Sequence, residues 1–407
     1  MDLLAFWGKS AKEGGWHPAI CHMLDVGQVA KVLVETVLPA TTVDLLVTPV
    51  CGTDSEPPSA LAFLCALHDL GKVSPGFQKK QRGLFHPPGD GFDFSIADES
   101  NHGAVTAEAA VALFGEWGLG PEAAENLART LGGHHGSFPS LMSKSCGEGS
   151  WVTARRETAG RLAQAFGVDL ADLVLDAAVV TPAWLITLAG LVSVSDWIGS
   201  DERYFPYVGG ADVDINSYAA EARNKAARAV NDIGWSTVPA DTPPSAFADL
   251  FFDIASDGAR QGWTPNAMQS ACCELVQAAE GPFLLLVEAP TGSGKTEAAL
   301  WSAEIEACRR GAHGLYYALP TQATSNQMLE RLLAFLCGRF PDDRVPLHLL
   351  HGMASMNETF KQLRADGSAH DEGAPVPTNM EQEEGAVVAQ EWFCGRKRGL
   401  LSPFAVG

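Results

Sequence analysis

The first 235 residues read as mostly helical. Apolar residues recur three and four apart through His22 to Leu38, Ala60 to Leu67, Ala104 to Trp117, Pro121 to Leu131, Pro182 to Ile198 and Asn216 to Ile233, the spacing that lines one face of a helix. Pro121 and Pro182 stand where a first turn would begin, a position whose N–H is not needed. Loops rich in Gly, Pro and Asp, notably Gly83 to Ser100, separate these segments. From Thr264 the pattern changes. Phe283 to Val287 is a continuous apolar run of the kind a buried parallel strand shows, a glycine-rich turn and a helix from Lys295 follow, and Leu315 to Leu319 is a second apolar run. That succession predicts a βαβ unit. Between the two patterns, Ser236 to Gly262 holds Pro239, Pro243 and Pro244 and no long periodic run. The expected chain is multidomain: an all-α domain over residues 1–235, a linker over 236–262, and an α/β lobe with a parallel sheet over 263–407. Asp366 to Gly385, polar, acidic and proline-containing, is expected to be a loop.

Bulk properties narrow this little further. A chain of 407 residues exceeds what one hydrophobic core organises, and 46% apolar with 19% charged residues is ordinary for a globular protein. Ala183 to Val194 is interrupted by Thr187 and Ser193 and closed by Asp196, short and polar for a membrane span. Met1 to Gly14 has no basic cluster ahead of an apolar core, so a secretory signal is not expected. A cytoplasmic protein without a membrane partner is the expectation. Nine cysteines with no Cys-x-x-Cys pair read as reduced thiols. The formal charge of −21 repels polyanions at long range, so any nucleic-acid binding must rest on local basic spots and bound metal.

The candidate chemistry of the helical half lies in His22, the pair His68-Asp69, His102, the pair His134-His135, and Asp196. A divalent metal at a catalytic site wants imidazole and carboxylate ligands converging from rigid elements, and helices supply them in bundles. In Leu67-His68-Asp69-Leu70-Gly71-Lys72 the adjacent His and Asp can reach one centre, and a carboxylate can bridge two metals. Any one of these histidines alone is more simply a core histidine. Their shared setting, each at a helix end or within an apolar helix, sets the group apart.

The stretches "HPAICHMLDVGQVA", "LHDLGKVSPGFQ", "NHG", "GGHHGSFP" and "SVSDWIGSDERYFPY" resemble the HD phosphohydrolase superfamily, and more narrowly the HD domain of the CRISPR-associated nuclease–helicase of type I systems. The resemblance spans nearly all of the first 207 residues. It implies that His22, His68, Asp69 and Asp196 hold one metal, and that Asp69, His102, His134 and His135 hold a second. His68, Asp69 and Lys72 would be the catalytic group, with Lys72 near the scissile phosphate; a solvated lysine after a helix end is the equal alternative. A His-rich set suits Fe, Mn, Co or Ni better than magnesium.

In the second half, Ala289-Pro-Thr291-Gly292-Ser293-Gly294-Lys295-Thr296 follows a predicted strand and opens a predicted helix, the context a phosphate-binding loop requires. Backbone N–H groups and the helix N-terminus would face the phosphates of ATP, Lys295 would meet the β and γ phosphates, and Thr296 would ligate magnesium. Trp263 to Gln269 resembles the helicase segment in which a glutamine reads the adenine edge; a helix-starting proline with a surface glutamine is the plainer reading. Ala318 to Thr324 resembles the superfamily 2 helicase motif that holds a DNA backbone, through Thr321 and Thr324, and could equally be a helix cap. Trp392 to Gly407 again resembles the same CRISPR enzyme, with Arg396, Lys397 and Arg398 as a DNA contact or a solvated charge run. Lys79-Lys80-Gln81-Arg82 is a second basic spot.

The lobe implied is RecA-like and incomplete. Asp342-Asp343 and His370-Asp371-Glu372 are the only acidic candidates after Thr296, and neither follows an apolar strand. The family's acidic motif is expected beyond Gly407, so the chain is read as truncated and ATP hydrolysis is doubted. The leading reading is a metal-dependent single-stranded DNA nuclease joined to an ATP-binding lobe, partnered by a CRISPR guide-RNA surveillance complex. A small-nucleotide HD phosphohydrolase and a non-catalytic nucleotide- or DNA-binding subunit are the alternatives.

Overall fold

A computed structural model of the chain describes residues 1–407 apart from 12–13, 52–55, 82, 96–100, 142–145, 171–172, 176–179, 210–212, 236–242, 255–258, 311–313, 342–344, 372–386 and 395–397. It divides into two compact units, Met1–Val230 and Asn231–Gly407.

The first unit is helical. β1 (Trp7–Ser10) pairs antiparallel with β2 (Trp16–Pro18), which runs into α1 (Ala19–Thr36). α2 (Ala40–Val47), the short strand β3 (Val50–Cys51) and α3 (Pro57–Ala66) follow. A 3₁₀ turn, Leu67–Lys72, leads to α4 (Pro75–Gln78). Then come α5 (His102–Glu116), α6 (Pro121–Gly132), α7 (Ser150–Phe166), β4 (Val174–Leu175, antiparallel to β3), α8 (Pro182–Gly199) and α9 (Ile215–Asp232). The helix starts have local causes. Ser74, Asn101 and Thr181 each accept a hydrogen bond from a first-turn N–H, and Pro57, Pro75, Pro121 and Pro182 occupy first-turn positions where the missing N–H costs nothing.

The periodic segments all fold as helices; α2, the short α4 and α7 are additional. In α7 the buried Arg155 donates to the carbonyls of Val73 and Gly147, each at 3.0 Å, fastening the helix to the turn that carries His68 and Asp69. Helix α8 is long and apolar enough by composition to cross a membrane, contrary to the sequence reading of that stretch. Its Trp184, Leu188 and Val192 are fully buried in this unit, so it is a core helix.

The second unit begins with α10 (Phe247–Leu250) and an antiparallel pair, β5 (Phe252–Ile254) and β6 (Arg260–Gly262). These lie within the stretch assigned to a linker. Phe247, Leu250 and Phe251 are buried in the core of this unit, and their apolar bulk draws the segment into it. Next are α11 (Ala267–Ala278), α12 (Lys295–Arg310), β7 (Leu315–Tyr317), α13 (Gln322–Arg339), β8 (Val345–Leu349), α14 (Glu358–Asp371), β9 (Val387–Val388) and β10 (Phe404–Val406). The sheet has the order β7-β10-β8-β9, all parallel.

Two expectations change here. Phe283 to Val287 belongs to no ladder among the described residues, and Leu284 and Leu286 are 93% and 79% exposed. The run has strand composition, but among the described residues no neighbouring strand pairs with it, so the predicted βαβ unit lacks its first strand there. Asp366 to Asp371 continue α14 rather than forming a loop, and Gly385 and most of that acidic stretch fall outside the described residues, as do Asp342, Asp343 and Glu372.

Candidate metal centre and nucleotide loop

The turn Leu67–Lys72 is wholly buried, and its placement depends on Gly71. A Cβ there would lie 2.0 Å from the carbonyl oxygen of His102 and 2.5 Å from the amide of Thr106, so only glycine lets α5 approach so closely. Thr106 completes the join: its hydroxyl donates to the carbonyl of His68 at 2.8 Å and accepts from the amide of Gly71 at 2.9 Å. His102 opens α5, and His134 and His135 follow the end of α6.

These elements bring the seven predicted side chains together around Asp69. Its Oδ2 lies 3.3 Å from Nε2 of both His22 and His68 and 2.7 Å from Nζ of Lys72. Its Oδ1 faces the other way, 3.3 Å from Nε2 of His102 and 3.8 Å from Nε2 of His134. Asp196 closes the first side, with Oδ1 at 3.2 Å from His22 and 3.7 Å from His68. His135 reaches the second through His102, their Nε2 atoms 3.0 Å apart. Lys72 is buried beside Asp69, which sets aside the solvated alternative.

Ring orientation is fixed from behind. Nδ1 of His68 donates to the Cys65 carbonyl at 3.0 Å and Nδ1 of His134 to that of Leu131 at 2.8 Å, turning both Nε2 atoms inward. Nε2 of His68 and Oδ1 of Asp69 are buried without a well-aligned hydrogen bond. Inward-facing imidazole nitrogens and a carboxylate oxygen without an aligned hydrogen bond are costly in a dry interior, and they fit divalent metal ions bound on either side of Asp69. The ligating atoms of His22-His68-Asp69, of His68-His134-Asp196 and of His102-His134-His135 each lie within 4.8 Å of one another.

Titration behaviour agrees for three of the histidines and sets His68 apart. Burial above all holds His22, His102 and His134 down to about 4, so they are neutral ligand donors near neutral pH. Burial also opposes charge on His68, but Asp69 and Asp196 outweigh it and lift His68 to about 9. Burial alone would raise both aspartates; Lys72 and His68 around Asp69, and His22 and His68 around Asp196, hold each well below the usual carboxylate range instead.

The glycine-rich turn of the second unit lines a cavity of about 730 Å³ together with Trp263, Gln269 and Arg331. Gly292 and Gly294 have φ of 81° and 84°, the left-handed conformation that favours glycine. Nζ of Lys295 donates to the carbonyls of Ala289 and Pro290 at 2.6 and 2.7 Å. Thr291 and Ser293 line the same cavity, and the Thr296 hydroxyl accepts from Arg331 at 2.9 Å. Gln269 is buried: it forms a capping box with Asn266 and donates to the Gly294 carbonyl at 3.1 Å. Arg331, Phe247 and Glu297 also line the cavity and belong to no motif that marks them in the sequence.

Thr321 caps α13, accepting from the amide of Thr324 at 3.3 Å, while the Thr324 hydroxyl donates back to the Thr321 carbonyl at 2.8 Å. Arg398 lies over the Trp392 ring, 4.9 Å from its centroid; Arg396 and Lys397 lie outside the described residues. Lys79 and Lys80 are exposed just beyond α4, and Arg82 also lies outside the described residues.

Residues 7–205 match the family model described as Cas3, HD domain, and residues 266–370 match that of the DEAD/DEAH box helicases. The chain is 35% identical over 416 residues to the CRISPR-associated endonuclease/helicase Cas3 of Thermus thermophilus, covering 99% of this chain and 42% of the relative. The crystal structure of T. fusca Cas3 with AMPPNP superimposes with a TM-score of 0.75 at 26% identity, covering 99% of this chain and 43% of that one. A chain of a CRISPR RNA-guided surveillance complex in a pre-nicking state superimposes with a TM-score of 0.57 at 25% identity, covering 81% and 38%. This chain therefore spans less than half the length of each of these three relatives.

Proposed function

Because its first domain belongs to the Cas3 HD family and its second to the DEAD/DEAH box helicases, we propose that this chain is a metal-dependent nuclease acting on single-stranded DNA, with an ATP-binding helicase lobe attached. The observation that carries the reading is Asp69, whose two carboxylate oxygens face separate sets of imidazoles. His22, His68 and Asp196 would hold one transition-metal ion with Asp69; His102, His134 and His135 would hold the other. Bound there, divalent ions of the Fe, Mn, Co or Ni type supply Lewis-acid polarisation of a phosphodiester and an activated water.

The chain's own residues do the positioning. The backbone carbonyls behind His68 and His134 fix the ligand tautomers, and burial keeps three imidazoles unprotonated at neutral pH. Lys72 supplies a fixed cation beside Asp69 where a phosphate would develop charge. Exposed Lys79 and Lys80, with Phe77 carrying Lys80 at 5.2 Å from its ring, offer a cationic and aromatic approach for a strand despite the net charge of −21.

In the second domain, Gly292, Gly294 and Lys295 would take the phosphates of ATP, Thr296 its magnesium, and Gln269 the adenine. Thr321, Thr324, Arg396, Lys397 and Arg398 would contact DNA. A guide-RNA surveillance complex is the proposed partner, supported by the structural match to a chain of such an assembly. The test is metal content and single-stranded DNA cleavage for the wild type, Asp69→Ala and His68→Ala with manganese or nickel. Two ions per chain and cleavage in the wild type, both lost in Asp69→Ala, are expected; DNA cleavage that survives Asp69→Ala would sink the assignment.

A further inference from the structure

Asp196 is joined to a lysine other than Lys72 by a route that no motif marks. Lys9 on β1 donates to the hydroxyl of Ser200, and Ser200 donates in turn to Oδ1 of Asp196 at 2.9 Å. The direction is forced, because an ammonium only donates and a hydroxyl has one proton to give. That same Oδ1 is the atom facing His22 and His68.

The lysine sits on a tightly held strand. Gln78, fully buried, accepts from the amide of Trp7 at 3.2 Å and donates to the carbonyls of Trp7 and Lys72 at 2.9 and 2.8 Å. A Cβ on Gly8 would lie 2.7 Å from Cα of Ala19, so β1 is pressed against the start of α1, three residues ahead of His22. Ser200 lies one helical turn beyond Asp196, as the C-cap of α8. Lys9 and Asp196 thus come from opposite ends of the domain and meet through one hydroxyl.

We propose that Lys9 and Ser200 are positioning residues that aim the Asp196 carboxylate at the ion shared with His22 and His68. The inference rests on the metal-dependent reading above. Partners of this kind, hydrogen-bonded to a ligating carboxylate, alter affinity without touching the ion. Lys9 has two opposing effects that the experiment separates. Its charge alone repels a cation, so removing a purely electrostatic Lys9 would tighten binding. Removing a positioning Lys9 loosens it.

The test is titration of metal-free protein with manganese, reading stoichiometry and both dissociation constants, with thermal stability measured alongside. Ser200→Ala should weaken the ion lost in His22→Ala by roughly 10- to 100-fold. The ion lost in His102→Ala should be unchanged. Ser200→Thr, which keeps the hydroxyl, should bind within about threefold of wild type, and Lys9→Met should bind more weakly than wild type. Equal affinity in Ser200→Ala, or tighter binding in Lys9→Met, overturns the inference. A wild type that binds no manganese, or a His22→Ala variant that loses none, overturns the underlying metal reading instead.

Discussion

Gly103 on α5 and Gly132 at the end of α6 pack backbone against backbone: a Cβ on Gly103 would lie 2.4 Å from the carbonyl oxygen of Gly132, and one on Gly132 would lie 2.3 Å from that of Gly103. No side chain fits between them, and this contact sets how close His102 comes to His134 and His135. Gly132→Ala should therefore force the helices apart at a cost of about 1–3 kcal/mol. It should also lower metal stoichiometry from two ions to one, with the His22 ion retained. Denaturant unfolding and metal analysis check this; unchanged stability and two tightly held ions would show that the helices yield.

Metal loading should release a proton from His68. With its pKa lifted to about 9 by Asp69 and Asp196, His68 is charged at pH 7.5 in the metal-free protein, whereas His22, His102 and His134 at about 4 are already neutral. Binding requires a neutral imidazole. Calorimetry in buffers of different ionisation heat should report about one proton released near pH 7.5 and a smaller number above pH 9. The same shifts set the acid limit of the metal-free fold. For the three lowered histidines the unfolded chain binds more protons between about 6.5 and 4, so their contribution is present above 6.5 and lost as pH falls through that window. His68 contributes oppositely, fully below 6.5 and lost as pH rises towards 9.

Lys295 holds two carbonyls of its own loop, a pair of bonds that a nucleotide phosphate would replace. Lys295→Ala should reduce affinity for a fluorescent ATP analogue by more than about 100-fold, as removing a charge-assisted contact to phosphate does. Unfolding free energy should change by only about 1 kcal/mol, because the hydrogen bonds lost are partly exposed. An affinity within a few-fold of wild type would argue against the loop as the nucleotide site.

A further buried carboxylate, Asp25 of α1, ties that helix to α9. The Tyr218 hydroxyl donates to its two oxygens at 2.9 and 3.1 Å, and Nε2 of His17 lies 2.9 Å from Oδ2. Burial pushes the Asp25 carboxyl up, with His17 and Tyr218 opposing. Tyr218→Phe keeps the ring and removes the donor, so it should cost about 1.5–3 kcal/mol of unfolding free energy, the range for hydrogen bonds to charged groups. A change below about 0.5 kcal/mol, within the scatter of neutral surface substitutions, would mean His17 alone satisfies the carboxylate.

The candidate metal centre is legible in the sequence because its proposed ligands sit at or near helix ends, where apolar periodicity and short polar motifs coincide. His68-Asp69 and His134-His135 announce themselves; Lys9 and Ser200 do not, being single polar residues whose partners lie far away in sequence. Helix α7 buries Trp151, Ala154, Arg155, Thr158, Leu162 and Phe166 at helical spacing, but the small and polar residues among them dilute the apolar signal by which a helix is read from sequence. Phe283 to Val287 misled in the opposite sense: an apolar run records what a segment is suited to bury, while a ladder also requires neighbours. Likewise, the prolines between 236 and 262 suggested a linker, yet Phe247 and Phe251 are core residues, because a few aromatics outweigh local irregularity.

The proposed ligands begin at His22 and end at Asp196, with Ser200 just beyond. During synthesis, then, the pocket cannot be completed until α8 has left the ribosome, when almost every other part of the domain has already emerged. A fragment released before α8 would lack Asp196, the carboxylate that closes the proposed site on the His22 side.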